Sequence, residues 1–158
     1  MSETAPDLTL QLQSKPKLLS SVRCMILSLT QRVGFDEIEC GHIALAIDEA
    51  LANVIRHGYE QRDDEPIHIA VWILKEDRPG IRIMIEDEAD QIDPDSIKGR
   101  DLEDVKPGGL GVHIMREIMD SCRFERRKQE KGMRVIMEKY INSEHVSETK
   151  EPHSPQAT

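Results

Sequence analysis

Basic charge is outweighed by acidic charge in this sequence, and that deficit argues against one class of function at once. The 158 residues hold 21 Lys and Arg against 30 Asp and Glu, a formal net charge of −9. Contacts to nucleic-acid phosphates need clustered Lys and Arg, so a net charge of −9 argues against nucleic acid as a partner. Aromatic residues are few, at 3%. Cys24, Cys40 and Cys122 are odd in number and lack metal-type spacing, so they read as reduced core thiols of a cytosolic protein. No apolar run is long enough to span a membrane. The start, MSETAPDLTL, has no basic segment followed by an apolar one, which leaves out a signal peptide and makes the cytoplasm the expected location. HExxH, the GxxxxGK phosphate loop and the GxSxG elbow are all absent. His42, His68 and His113 are isolated and read as structural or surface histidines.

What is present suits one soluble domain with an adequate core. Residues 1–6 are expected to be a flexible N-terminus, 7–141 the folded domain and 142–158 a disordered tail, since the last stretch is polar and lacks any period. Leu8, Leu10 and Leu12 alternate with polar residues, which predicts a half-buried strand. Ser14 and Pro16 mark a helix start. Leu18, Leu19, Val22, Met25, Ile26, Leu29 and Val33 then recur at helical spacing up to Gly34. Asp36 can cap a second helix with Ile43, Ile47, Leu51 and Ile55 on its apolar face, ended by Gly58. Ile67 to Leu74 and Ile81 to Glu86 alternate as two strands around a turn at Asp77–Gly80. The polar segment 94–107 has no period, and a loop of that length inside a compact domain is characteristically functional, often a lid. A short helix after Gly111 and two strands, around Phe124 and from Met133, complete the order. A two-layer α/β sandwich with a mixed, mostly antiparallel sheet and helices on one face satisfies this pattern best.

Three local features carry candidate chemistry. Glu49, Asn53 and His57 recur at steps of four on the second helix, and residues four apart lie one above the other. They form a polar stripe on a mostly apolar helix, beside the small Ala46 and Ala50, which leave room for a ligand. Taken alone, Glu49 and Asn53 read more readily as a solvated face. Asp87 continues the register of Ile81, Ile83 and Ile85, so it points into the core, where a carboxylate is costly unless it finds donors. A strand-end Asp turned to water is the competing reading. Gly108–Gly111 open a helix, where glycines permit close backbone approach and free N–H groups with a positive dipole end face an anion. That is a plausible phosphate cradle, and weak evidence by itself. DEADQIDP, residues 87–94, lacks the glycine and terminal glutamate of a calcium loop and reads alone as a turn.

Taken in order, DEALANVIRHGY (48–59), DEADQIDP (87–94), PGGLGVHIMREIMD (107–120) and KGMRVIMEKY (131–140) resemble the GHKL ATP-binding superfamily, and within it the anti-sigma-factor serine kinase branch. The resemblance covers roughly residues 8–141. It implies the GHKL type of α/β sandwich, ATP and Mg²⁺ as cofactors, and a serine/threonine protein kinase that also acts as an anti-sigma regulatory factor. By the same resemblance, Glu49 would be the general base and Asn53 would bind both nucleotide and Mg²⁺. Asp87 would accept a hydrogen bond from the adenine amino group. Ala89 would stand beside the base, and Gly108, Gly109, Leu110 and Gly111 would line the phosphates. The implied partners are a STAS-type anti-anti-sigma protein and a sigma factor, with a homodimer allowed. Two departures fall on the adenine side: Ala89 where the family carries Gly, and Met133 where it often carries Thr. They favour, as the alternative, a non-catalytic ATP-binding partner-switching module.

Overall fold

A computed structural model describes residues 4–75, 77–98 and 109–142. Among them, five strands are β1 (Leu8–Gln13), β2 (Pro66–Leu74), β3 (Gly80–Glu86), β4 (Ser121–Arg126) and β5 (Met133–Tyr140). Three helices are α1 (Leu19–Val33), α2 (Glu37–Asn53) and α3 (Leu110–Ile118). The strands form one sheet in the order β1-β2-β3-β5-β4, and every neighbouring pair is antiparallel. The mixed pairing held open by the sequence is therefore absent from the described strands. No described helix is long and apolar enough to cross a membrane.

The helix boundaries follow the local chemistry. Gly34 ends α1 in a left-handed conformation at φ 112°, a geometry that side-chain-bearing residues resist. Asp36 and Glu39 form a reciprocal capping box: the Glu39 N–H donates to Asp36 Oδ1 at 2.8 Å, and the Asp36 N–H donates to Glu39 Oε2 at 3.3 Å. The far end of α2 departs from the expected α-helix, because Val54–Gly58 form a turn of π-helix. The wider turn carries an extra residue and rotates the chain beyond it, so His57 does not continue the Glu49–Asn53 line as an α-helical step of four would place it.

Alternation in the strands becomes rows across the sheet. Leu8, Val71, Ile83, Met137 and Cys122 align in one row, and Leu10, Ile69, Ile85, Val135 and Phe124 in the next. Against these rows pack Val22 and Ile26 of α1, Ile43, Ile47 and Leu51 of α2, and Met115 of α3. Each such side chain, once fully buried, contributes about 1.5–3 kcal/mol. Two expectations change here. Ala46 is sealed in this core instead of standing beside a ligand. Cys24 is exposed, and only Cys40 of the three free thiols is a buried one.

Candidate functional site

At one end of the sheet a cleft of about 280 Å³ opens between α2, the exit of β3, the start of α3 and β5. Asn53, His57 and Gly58 form its helical wall. Asp87 and Ala89 stand across from them, and Gly109 and Val112 border it from α3. Met133, Arg134 and Val135 give its floor. Thus Asn53 and His57 of the helix stripe, the inward carboxylate and Gly109 of the glycine-rich turn, far apart in sequence, surround one space.

Asp87 is 5% exposed. Its Oδ1 accepts two backbone N–H groups, from Met133 and from Ala89, each at 3.0 Å. Oδ2 has no hydrogen-bond partner among the described residues and lies on the side of Gly58, where a Cβ would come within 3.8 Å of it. Burial pushes the Asp87 carboxyl above its ordinary pKa, and the two N–H groups and the Arg127 charge offset part of that rise. Met133 thus serves this site through its backbone, which needs no hydroxyl. Ala89 does not occupy the left-handed region, so its methyl adds no backbone strain; it packs toward Gly58 at the edge of the cleft.

Asn53 has a defined orientation. Its Nδ2 faces the sulfur of Met115 at 4.0 Å, a weak acceptor, which leaves the amide oxygen for the cleft. Glu49 stands just outside the cleft wall, against α3. A Cβ on Gly111 would fall 2.5 Å from Glu49 Oε2, so the missing side chain at Gly111 makes the space the carboxylate occupies. Gly109 takes φ 82° at the head of α3. The first N–H groups of a helix lack partners within it, and here they open beside Asn53. Leu110 follows at the first position of α3. Its side chain is 51% exposed and is not part of the cleft wall. Gly108 and residues 99–107 of the expected lid lie outside the described residues. Asp93 caps a short turn at Pro94–Ser96 that begins the lid segment, and Ser96, Ile97 and Lys98 border the cleft.

Several residues that hold this site escaped the sequence reading. Tyr59 is fully buried; its hydroxyl donates to the Pro66 carbonyl at 2.5 Å and accepts the Glu88 N–H at 2.7 Å. Burial pushes the Tyr59 pKa up to about 12, so the hydroxyl stays a donor. It ties the exit of α2 to the residue after Asp87. The turn between β4 and β5 fastens the same loop. Arg127 donates to the Asp87 carbonyl at 2.8 Å, the Gly132 N–H to Ala89 at 2.7 Å, and Gln91 Nε2 to the carbonyls of Arg127 and Gln129. Only Tyr59 had a signal in the sequence, as a rare aromatic closing the helix motif.

Gly132 is the tightest point. It takes φ 96°, and a Cβ there would collide with the Asp87 carbonyl oxygen and the Arg127 side chain. Gly132→Ala is expected to cost roughly 2–4 kcal/mol in urea denaturation, from left-handed strain and overpacking together. A loss under ~0.5 kcal/mol would show that the loop around Asp87 is not held this way.

An α/β sandwich whose cleft joins an amide oxygen, a helix N-terminus and a buried carboxylate defines a nucleotide-binding domain. Residues 12–139 match the histidine kinase-like ATPase domain, and the chain belongs to that family; it is an ATP-using domain. Among its relatives is the serine-protein kinase RsbW of Listeria monocytogenes serotype 4a (strain HCC23), 29% identical over 155 residues, covering 94% of this chain and 96% of that protein. RsbW of Bacillus subtilis (strain 168) is 27% identical over 155 residues and covers 92% of each. A similar fold occurs in the crystal structure of the RsbU and RsbW domains of Rv1364c from Mycobacterium tuberculosis, with a TM-score of 0.58 and 17% identity. That match covers 85% of this chain, which spans 33% of the Mycobacterium chain.

Proposed function

We propose that this chain is an ATP-dependent protein serine kinase and anti-sigma regulatory factor, acting in the cytoplasm on a STAS-type anti-anti-sigma protein. The observation that carries the reading is the placement of Glu49 against Gly111, one helical turn from Asn53, with Asp87 across the same cleft. The near full-length similarity to proteins named serine-protein kinases supports it.

Adenine would meet the free Oδ2 of Asp87, which accepts a hydrogen bond from the exocyclic amino group. The phosphates would run toward the N-terminus of α3, whose N–H groups and dipole favour negative charge. No group of three or more His, Cys, Asp or Glu suited to a metal occurs among the described residues. One amide oxygen at Asn53 with phosphate oxygens and water fits Mg²⁺, which keeps waters and takes few protein ligands. When bound, that ion neutralises phosphate charge. Glu49 takes the proton from the substrate serine as its oxygen attacks the γ-phosphorus; the bond to the β-phosphate bridging oxygen breaks, and ADP leaves. Transfer of this kind needs positioning and charge neutralisation more than covalent help from the protein. The unphosphorylated antagonist would compete with a sigma factor for the chain, and a homodimer is compatible with the reading.

The test is incubation of the purified chain with Mg²⁺, ATP labelled in its γ-phosphate, and the STAS-domain proteins of the source organism. Label on a serine of one of them is the expected result. Nucleotide binding without transfer at any protein ratio would leave the non-catalytic partner-switching module instead.

The same geometry makes Gly111 sensitive. Gly111→Ala forces the Glu49 carboxylate aside and is expected to lower transfer at saturating ATP at least about tenfold, within the range a displaced general base accounts for. Transfer at the wild-type rate would separate Gly111 from the position of Glu49.

A further inference from the structure

Three of the four large apolar side chains exposed among the described residues lie on the two helices that meet at Glu49. Ile38 is 70% exposed, Leu45 42% and Leu110 51%. On α2, steps of seven and four join Ile38 to Leu45 and Leu45 to Glu49, so the three share one face of the helix. Leu110 adjoins Gly111, whose Cβ position Glu49 nearly fills, so it flanks the same carboxylate from α3.

Gly41 lies on this face between Ile38 and Leu45, and it is a second, independent observation. It is exposed, and among the described residues nothing stands within 4 Å of the place a Cβ would take. A glycine inside a helix costs about 1 kcal/mol relative to alanine. The packing of the described residues gives no reason for that cost. A bare stretch of helix backbone between two exposed apolar side chains suits close approach by another surface.

We propose that the face Ile38–Gly41–Leu45 of α2, continued by Leu110, seats the folded protein that presents its serine to Glu49. This rests on the kinase reading above and adds where the substrate docks. The occupant is a protein domain with apolar side chains beside its acceptor serine. Ile38 and Glu49 are about 16 Å apart along the helix at 1.5 Å per residue, more than the residues next to one serine can cover. Continuity with the transfer site selects this occupant over a second copy of the chain, because a serine brought to Glu49 carries its flanking surface over Leu45, one turn away.

The experiment compares wild type with Ile38→Glu, Leu45→Glu and Gly41→Ala, using the full chain, labelled ATP and whichever STAS-domain protein the wild type phosphorylates. The two Glu variants are expected to raise KM for that protein at least tenfold, with kcat and ATP affinity within twofold of wild type. Gly41→Ala is expected to raise Tm by about 2–4 °C, from the helix propensity regained, and to raise KM as well. A change in Tm without one in KM would reduce Gly41 to a local matter and overturn its part in docking. Wild-type KM in both Glu variants would overturn the surface while leaving the kinase reading intact. A shift only in the sedimentation of the chain alone would give the face to a second copy and overturn the proposal. If wild type labels no STAS-domain protein, the kinase reading fails and this surface fails with it.

Discussion

Glu49→Ala is expected to cut phosphate transfer to a protein serine by about 10²–10⁴-fold, the usual share of a general base. Affinity for ATP should fall far less. The difference comes from position: Glu49 lies outside the wall of the cleft that the nucleotide would fill, with its carboxylate turned to the open side of Gly111. Single-turnover transfer at saturating ATP isolates the chemical step from binding. Glu49→Gln keeps the shape and removes the base, so it should behave like the alanine variant. A glutamine variant at wild-type speed would mean that the residue positions groups and takes no proton. An alanine variant at wild-type speed would remove Glu49 from the mechanism.

The neighbour of Glu49 on its N-terminal side bears on why this carboxylate, and not that one, is proposed as the base. Asp48 is 8% exposed and its Oδ2 accepts the Arg23 guanidinium, tying α1 to α2. Buried and held by Arg23, it takes no part in the cleft wall. Two adjacent acids on one helix thus divide into an ion pair facing α1 and a carboxylate set against Gly111 of α3.

What the sequence revealed and what it hid divide along the range of the interactions. Leu8, Leu10 and Leu12, the isoleucines of β2 and β3, the Gly34 stop and the Asp36 cap depend on residues close in the chain, and all are placed as their patterns imply. The inward turn of Asp87 was legible for the same reason, as one more step of a period-2 strand. The latch across the site was not. Arg127 reaches the Asp87 carbonyl and Gln91 reaches two carbonyls of the β4–β5 turn over separations of 40, 36 and 38 residues, and no local pattern encodes such contacts. The π turn at Val54–Gly58 has a tertiary partner too. Tyr59, just beyond it, bonds both Pro66 and Glu88, so the two strands fix how the helix exits. Ala46 was misplaced because a small residue fits a core as well as a ligand pocket.

Asp87→Asn is expected to weaken ATP binding by about 30- to 150-fold, a loss of ~2–3 kcal/mol, while making the empty protein more stable at neutral pH. The orientation of the new amide is set in advance. Oδ1 of Asp87 is the acceptor for two backbone N–H groups, so the amide oxygen must take that place and its NH₂ must take the place of Oδ2. A donor then faces the adenine amino group, which is also a donor. A 6-oxo purine presents an acceptor at that atom, so inosine triphosphate should bind the variant at least as well as ATP does. The stability effect has the opposite sign because burial raises the Asp87 pKa. The folded chain therefore holds the Asp87 proton more tightly than the unfolded chain, and ionising it costs the fold. That contribution is fully present below the ordinary carboxylate range, about pH 4, and is lost as pH rises through the raised folded pKa. Asparagine never ionises and escapes the loss. The Tm advantage of the variant should be largest near pH 7 and shrink as pH falls toward about 4. Calorimetric titration with both nucleotides, and melting across that pH range, check the two halves separately. Unchanged ATP affinity would put the adenine elsewhere, and a Tm advantage independent of pH would assign the gain to packing instead of charge.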